Sequence, residues 1–251
     1  MGAVHGTTLN IATRDGITDA YLAHLDGGGP FPAVLLYMDA FGLRPHLKKM
    51  ADRLASAGYT VLVPNVFYRH ARAPVIDLPD FVDPAEHPEL FEWLGPIIQS
   101  LTPEAEMRDA DAYLAWLSEC PMAKDEPVGV TGYCMGASLA LRTAGAYPDR
   151  VAAAAGFHGA NLASTAADSP HLLAARIKAE LYFGHADQDR ALPPEQIERL
   201  NEALTAAGVR HRCEVYAGAH HGFTQADTAA YDLAAAERHW AALLDLFART
   251  L

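Results

Sequence analysis

The sequence predicts one α/β domain: a doubly wound, mostly parallel eight-stranded sheet with helices on both faces. Three observations carry that prediction. Short apolar runs such as 32–37 and 60–64 lack polar alternation, as strands covered on both faces do. Stretches with apolar residues at helical spacing separate them, most ending at Gly or Pro. The chain has 251 residues, 51% hydrophobic and 20% charged, enough for one sizeable core, and it shows no internal repeat. Strands that alternate with helices imply right-handed crossovers and hence a parallel sheet.

Segments 8–12 and 18–25 open the chain around Arg14-Asp15-Gly16, a hairpin turn signal. The third strand is 32–37. A helix over 45–57 follows, with Leu47, Met50, Leu54 and Ala57 in register and Gly58 as its stop. The fourth strand is 60–64. From 69 to 103 the alternation breaks: prolines stand at 74, 79, 84, 88, 96 and 103, with Phe81, Phe91 and Trp93 among them. Inside a compact domain such a connection is either a lid-like excursion or an ordered packing segment. Alternation then resumes with a helix over 104–118, a strand at 128–131 and a helix from Cys134 to about Tyr147-Pro148. Strands at 151–157 and 179–184 follow, then a helix over 194–207 stopped by Gly208, and a strand at 212–216. The last helix is expected over 226–248, its face carried by Leu233, Ala236, Trp240, Leu243 and Phe247.

Bulk properties narrow the function. A net charge of −12 with no compensating basic surface argues against nucleic acid and anionic membrane as partners. Three cysteines, Cys120, Cys134 and Cys213, make no disulfide framework and point to a reducing compartment. The start Met1-Gly2-Ala3-Val4-His5 lacks the pattern of a signal peptide, and no apolar stretch has the length of a membrane span. The expectation is a cytoplasmic protein, a monomer or small homo-oligomer, acting on a small molecule.

The chemistry centres on Gly132-Tyr133-Cys134-Met135-Gly136, between an apolar strand and a helical stretch. That is the layout of a nucleophile elbow, with cysteine at its tip. A sharp strand-to-helix turn pushes the tip residue off the sheet and aims the helix's free N–H groups at it, which favours a thiolate. The two glycines stand where a Cβ would meet the neighbouring strand or the new helix. By itself the motif also fits a buried, inert cysteine.

The loops at the carboxyl ends of parallel strands share one edge, where ligands bind. Four of them carry unusual residues: Asp39-Ala40-Phe41-Gly42, the elbow, His185-Ala186-Asp187-Gln188-Asp189, and His220-His221-Gly222-Phe223. A thiol nucleophile needs a base, and the base needs an orienting group. Cys134, then Asp189, then His221 supply them in the order nucleophile, acid, histidine. Asp187 is read as a loop-capping residue and His220 as solvent-facing. Of 12 histidines none has zincin spacing, so no metal is expected. Tyr37, Phe41, Tyr68, Phe157 and His158 near strand ends are candidate pocket walls.

These residues resemble the dienelactone hydrolases, α/β-hydrolases with a cysteine nucleophile, over nearly the whole chain. The resemblance implies hydrolysis of a lactone or activated ester by a Cys134–His221–Asp189 triad without cofactor. It also implies an oxyanion hole from the N–H groups of Ala40 and Met135. Asp39 matches a glutamate that takes part in thiol activation. Gln225 stands where dienelactone enzymes place an arginine for the substrate carboxylate, and an amide cannot replace a charged fork. Arg69, Arg72 and Arg44 are the alternatives, each read here as a solvated surface residue. Two competing readings remain: a broad carboxylesterase, and a non-catalytic, redox-sensitive protein on a hydrolase scaffold.

Overall fold

The computed structural model describes residues 2–83 and 86–251. Pro84, one of the six prolines of the excursion, lies outside the described residues. Eight strands form one sheet in the order β1-β2-β4-β3-β5-β6-β7-β8. The strands are β1 (Val4–Thr13), β2 (Gly16–Leu25), β3 (Ala33–Tyr37), β4 (Thr60–Pro64), β5 (Val128–Tyr133), β6 (Val151–Phe157), β7 (Glu180–Ala186) and β8 (His211–Tyr216). β1 and β2 form the expected hairpin, and β2 also runs antiparallel to β4. Every pairing from β4 through β3 to β8 is parallel.

The helices are α1 (Pro45–Ser56), α2 (Pro88–Gln99), α3 (Pro103–Glu119), α4 (Met135–Ala146), α5 (Pro194–Ala206) and α6 (Leu233–Thr250). α1 and α6 cover one face, joined by the Arg53–Glu237 ion pair and the stacking of Arg53 on Trp240. α3 and α4 pack on the other face. Strands β3, β4 and β5 are buried at every position, which explains their lack of alternation in the sequence. Two elements differ from the sequence reading. α6 begins at Leu233, not near 226, because Asp232 caps it by accepting from Ala235 N at 3.0 Å. The excursion holds α2, which starts with Pro88 in its first turn and continues through Pro96. No helix among the described residues is long and apolar enough to cross a membrane.

Candidate active site

The elbow is a steric construction. Cys134 sits between β5 and α4 with φ 54° and ψ −119°, a conformation that an L-residue adopts only when its surroundings enforce it. A Cβ on Gly132 would stand 1.9 Å from the carbonyl oxygen of Gly136, so the chain can double back only with glycine there. A Cβ on Gly136 would stand 2.5 Å from the Met38 carbonyl and 2.8 Å from that of Tyr37. Glycine at 136 therefore lets the start of α4 close against the end of β3, where the loop of residues 38–42 begins. Cys134 is half-buried. The backbone N–H groups of Ala40 and Met135 find no hydrogen-bond partner among the described residues.

His221 and Asp189 meet on the loops after β8 and β7. His221 Nδ1 donates to Asp189 Oδ2 at 2.6 Å, with Asp189 only 3% and His221 31% exposed. Asp189 Oδ1 accepts from Ala191 N at 2.8 Å, which fixes the carboxylate's other end. Burial opposes a charge on His221, but the negative charge and hydrogen bond of Cys134, together with Asp189, outweigh it and lift the imidazole to about 10. Asp187 points elsewhere, accepting from Gly218 N at 3.0 Å, and His220 is exposed.

The loop that carries His221 is gripped from both sides at Thr224. His158 Nε2 lies 2.7 Å from Thr224 Oγ1, and His46 Nε2 donates to the Thr224 carbonyl at 3.1 Å. The His158 ring packs edge-on against His221 at 5.2 Å between centroids. Fully buried and near other imidazoles, His158 is held well below the usual histidine range and stays neutral.

Asp39 is buried at 1% exposure, and its Oδ1 accepts from Phe41 N at 2.9 Å and from Arg44 Nη1 at 2.7 Å. The hydrogen bonds of Asp39 thus go to its own loop and to Arg44. Arg44 itself overturns its reading as a surface residue: it is 7% exposed and also donates from Nε to Asp227 Oδ2 at 2.6 Å. Nothing local announces this, since Asp227 is 183 residues away. Arg72 and Arg69 are both exposed as expected, Arg69 while it pairs with Asp109 and Asp15.

Three of the candidate pocket walls are turned away from the thiol. Tyr37 is 1% exposed with its hydroxyl 2.9 Å from that of Thr143 on α4, inside the core. Phe157 packs under α6 against His239 and Tyr133. Tyr68 lies over the β1–β2 turn, its hydroxyl donating to Asp109 and 2.7 Å from that of Thr13. Strand alternation explains the first two, because successive residues at a strand end face opposite sides of the sheet. Phe41 and His158 stay with the site's loops. Gln225 folds back beside Gly222 and is 6% exposed.

A cavity of about 540 Å3 lies next to this constellation, lined by Arg44, His46, Lys49, Asp227 and residues of the segment 74–80. Cys134 and His221 are not among its walls. Among the described residues no group of three or more His, Cys, Asp or Glu could hold a metal ion.

The sequence profile of the Dienelactone hydrolase family matches residues 18–251. A Synechocystis protein provisionally named carboxymethylenebutenolidase is 31% identical over 245 residues, spanning 96% of this chain and 95% of its own length. A similarly named protein of Methylorubrum extorquens is 28% identical over 95% of this chain and 79% of its own. Among solved structures, one described as a dienelactone hydrolase of Klebsiella pneumoniae superposes with a TM-score of 0.85 at 23% identity, covering 98% of this chain and 99% of its own. A dienelactone hydrolase-like promiscuous phosphotriesterase from metagenomic libraries gives 0.80 at 24% identity, covering 99% of each chain. At such identities these two structures speak for the fold. The family match over nearly the whole chain goes further: the protein belongs to the dienelactone hydrolase family and is a hydrolase of the α/β-hydrolase fold.

Proposed function

We propose that the protein hydrolyses a small lactone or activated carboxylic ester through Cys134, His221 and Asp189, by way of an acyl-thioester. The observation that carries this reading is the 2.6 Å bond from His221 Nδ1 to the buried Asp189, with Cys134 on a strained elbow and interacting electrostatically with the imidazole. A redox-sensing thiol has no use for that buried carboxylate. The helix start at the elbow and the neighbouring His221 favour the thiolate form of Cys134 for attack. The thiolate attacks the carbonyl carbon, and the N–H groups of Ala40 and Met135 receive the oxyanion. Collapse expels the alkoxide or enolate, which takes the His221 proton.

The same electrostatics serve the second half. Once sulfur is acylated its charge is gone, and with it the main influence that held His221 protonated. The imidazole, still oriented by Asp189, is then a free base for water. Hydroxide attack on the thioester releases the acid and restores the thiolate. Thiolate leaves a tetrahedral intermediate more readily than an amide nitrogen does, so amides are poor substrates. The neutral Gln225 favours a second reading within the same chemistry, an esterase for substrates without a carboxylate.

Cys134→Ala should lower turnover of an aryl acetate about 10⁴-fold or more while the circular dichroism spectrum is kept. Intact-protein mass spectrometry of the native chain should show the acyl adduct, absent from the variant. Unchanged turnover would remove the triad. Asp189→Asn should cost far more activity than Asp187→Asn, and the reverse result would reassign the acid. A panel of lactones and esters, with and without a carboxylate, separates the two substrate readings.

A further inference from the structure

We infer that Arg44 is a positioning residue that holds the oxyanion loop in register with the histidine loop, an inference that rests on the triad reading above. The sheet order creates the need. The loop of residues 38–42 leaves β3, and His221 follows β8, with β5, β6 and β7 between those strands. Four strand spacings are on the order of 19 Å, and both loops must still meet over Cys134. The histidine loop crosses that distance as irregular chain between β8 and α6, so something must fix its far end.

Arg44 joins the two. Its Nη1 donates to Asp39 Oδ1 at 2.7 Å and to the Gly42 carbonyl at 3.3 Å. Its Nε and Nη2 form a fork on Asp227, at 2.6 and 3.1 Å. Asp39 Oδ1 also accepts from Phe41 N at 2.9 Å, so Ala40 is spanned by a turn whose carboxylate the guanidinium fixes. At the other end, Asp227 is reached from His221 through a run of turns: Gln225 N donates to Gly222 O at 2.8 Å and Thr228 N to Gln225 O at 3.0 Å. Asp39 and Arg44 are 1% and 7% exposed, so losing one partner leaves the other buried and poorly paired. The site needs arginine because three separate N–H directions are used, which an ammonium on a flexible stem cannot reproduce.

Arg44→Lys and Asp227→Asn test this. For each, kcat and KM are measured on phenyl acetate and on a carboxylate-bearing aryl hemisuccinate, along with the rate of Cys134 alkylation by iodoacetamide across the range in which His221 titrates. Alkylation uses the thiolate–imidazolium pair but forms no oxyanion. Arg44→Lys should lower kcat roughly 10- to 100-fold on both esters, as expected when a positioning contact shifts by about an ångström. KM should stay within about threefold, and the alkylation rate and its pH profile should be unchanged. Asp227→Asn should show the same pattern with a drop of about 3- to 10-fold, and it carries the test if Arg44→Lys does not fold. A loss confined to the KM of the hemisuccinate would overturn the inference, because Arg44 would then read the substrate itself. Alkylation falling in parallel with turnover would also overturn it, as would full activity on both esters. If iodoacetamide-treated native enzyme keeps its turnover, the triad reading fails and takes the clamp with it.

Discussion

The stretch from β5 through α4 and the proline-rich stretch from 69 to 103 are held in place by opposite means. At the elbow, local rules agree with one another. An apolar strand, two glycines with no room for a Cβ and a helix start allow a single chain path, and that path aims Cys134 outward. The excursion has no such internal logic. It is fixed by what it lands on. Val82 N donates to the Asp227 carbonyl and Ala229 N donates to the Val82 carbonyl, each at 2.9 Å, a short parallel bridge to the histidine loop. Val82, Leu90 and Leu94 bury themselves with Phe41, next to Ala40, in a small cluster apart from the main core. Phe91 adds a ring contact on Phe41 at 5.9 Å between centroids. The excursion thus leans on two of the loops that build the site, and it is shaped by them.

Substitutions can break this contrast, beginning with the elbow. Gly132→Ala should cost about 4 kcal/mol or more and abolish hydrolysis, since the new methyl meets backbone that cannot yield. Chemical denaturation and ester turnover measure both, and a stable, active variant would show that the elbow is not sterically locked. In the excursion, Leu94→Ala should cost about 2–4 kcal/mol, read as increased proteolysis of 69–103, because Leu94 is 0% exposed. An effect near zero would mean that the excursion is not docked.

A third measurement concerns the interior under α6. His239, packed between Phe157 and Trp240 with Nε2 3.2 Å from the Tyr133 hydroxyl, is held neutral by burial, its pKa pushed down to about 3. A histidine depressed in the folded state contributes stability above its unfolded pKa of about 6.5 and loses it as pH falls toward the folded value. His239→Phe should therefore flatten the acid-side loss of stability by about 1.3 kcal/mol between neutral pH and one unit below 6.5. Urea unfolding of both proteins at the two pH values checks the slope, whatever the variant's absolute stability. An unchanged slope would mean that His239 titrates normally. The smallest effect belongs to Trp93→Gln, one residue from Leu94 but 47% exposed, which should change stability by less than about 0.5 kcal/mol.

The order and type of most elements could be read along the chain, as could the elbow motif and the three residues proposed as a triad. Among the described residues all eight strands and five of the six α-helices were legible, because helical and strand periodicity are local properties that depend on a handful of neighbours. α2 was hidden by the prolines around it, although Pro88 was a start signal in plain view. Periodicity cannot address which neighbours a side chain meets across the sheet. Arg44 reads as an ordinary charged residue before a helix until Asp227, 183 residues later, closes on it. Tyr37 and Phe157 looked like pocket walls because they stand at strand ends, and a partner 106 residues away or the underside of α6 claimed them instead. Local sterics fix where a nucleophile can stand. Burial of charge and the packing of loops from distant strands fix what stands around it.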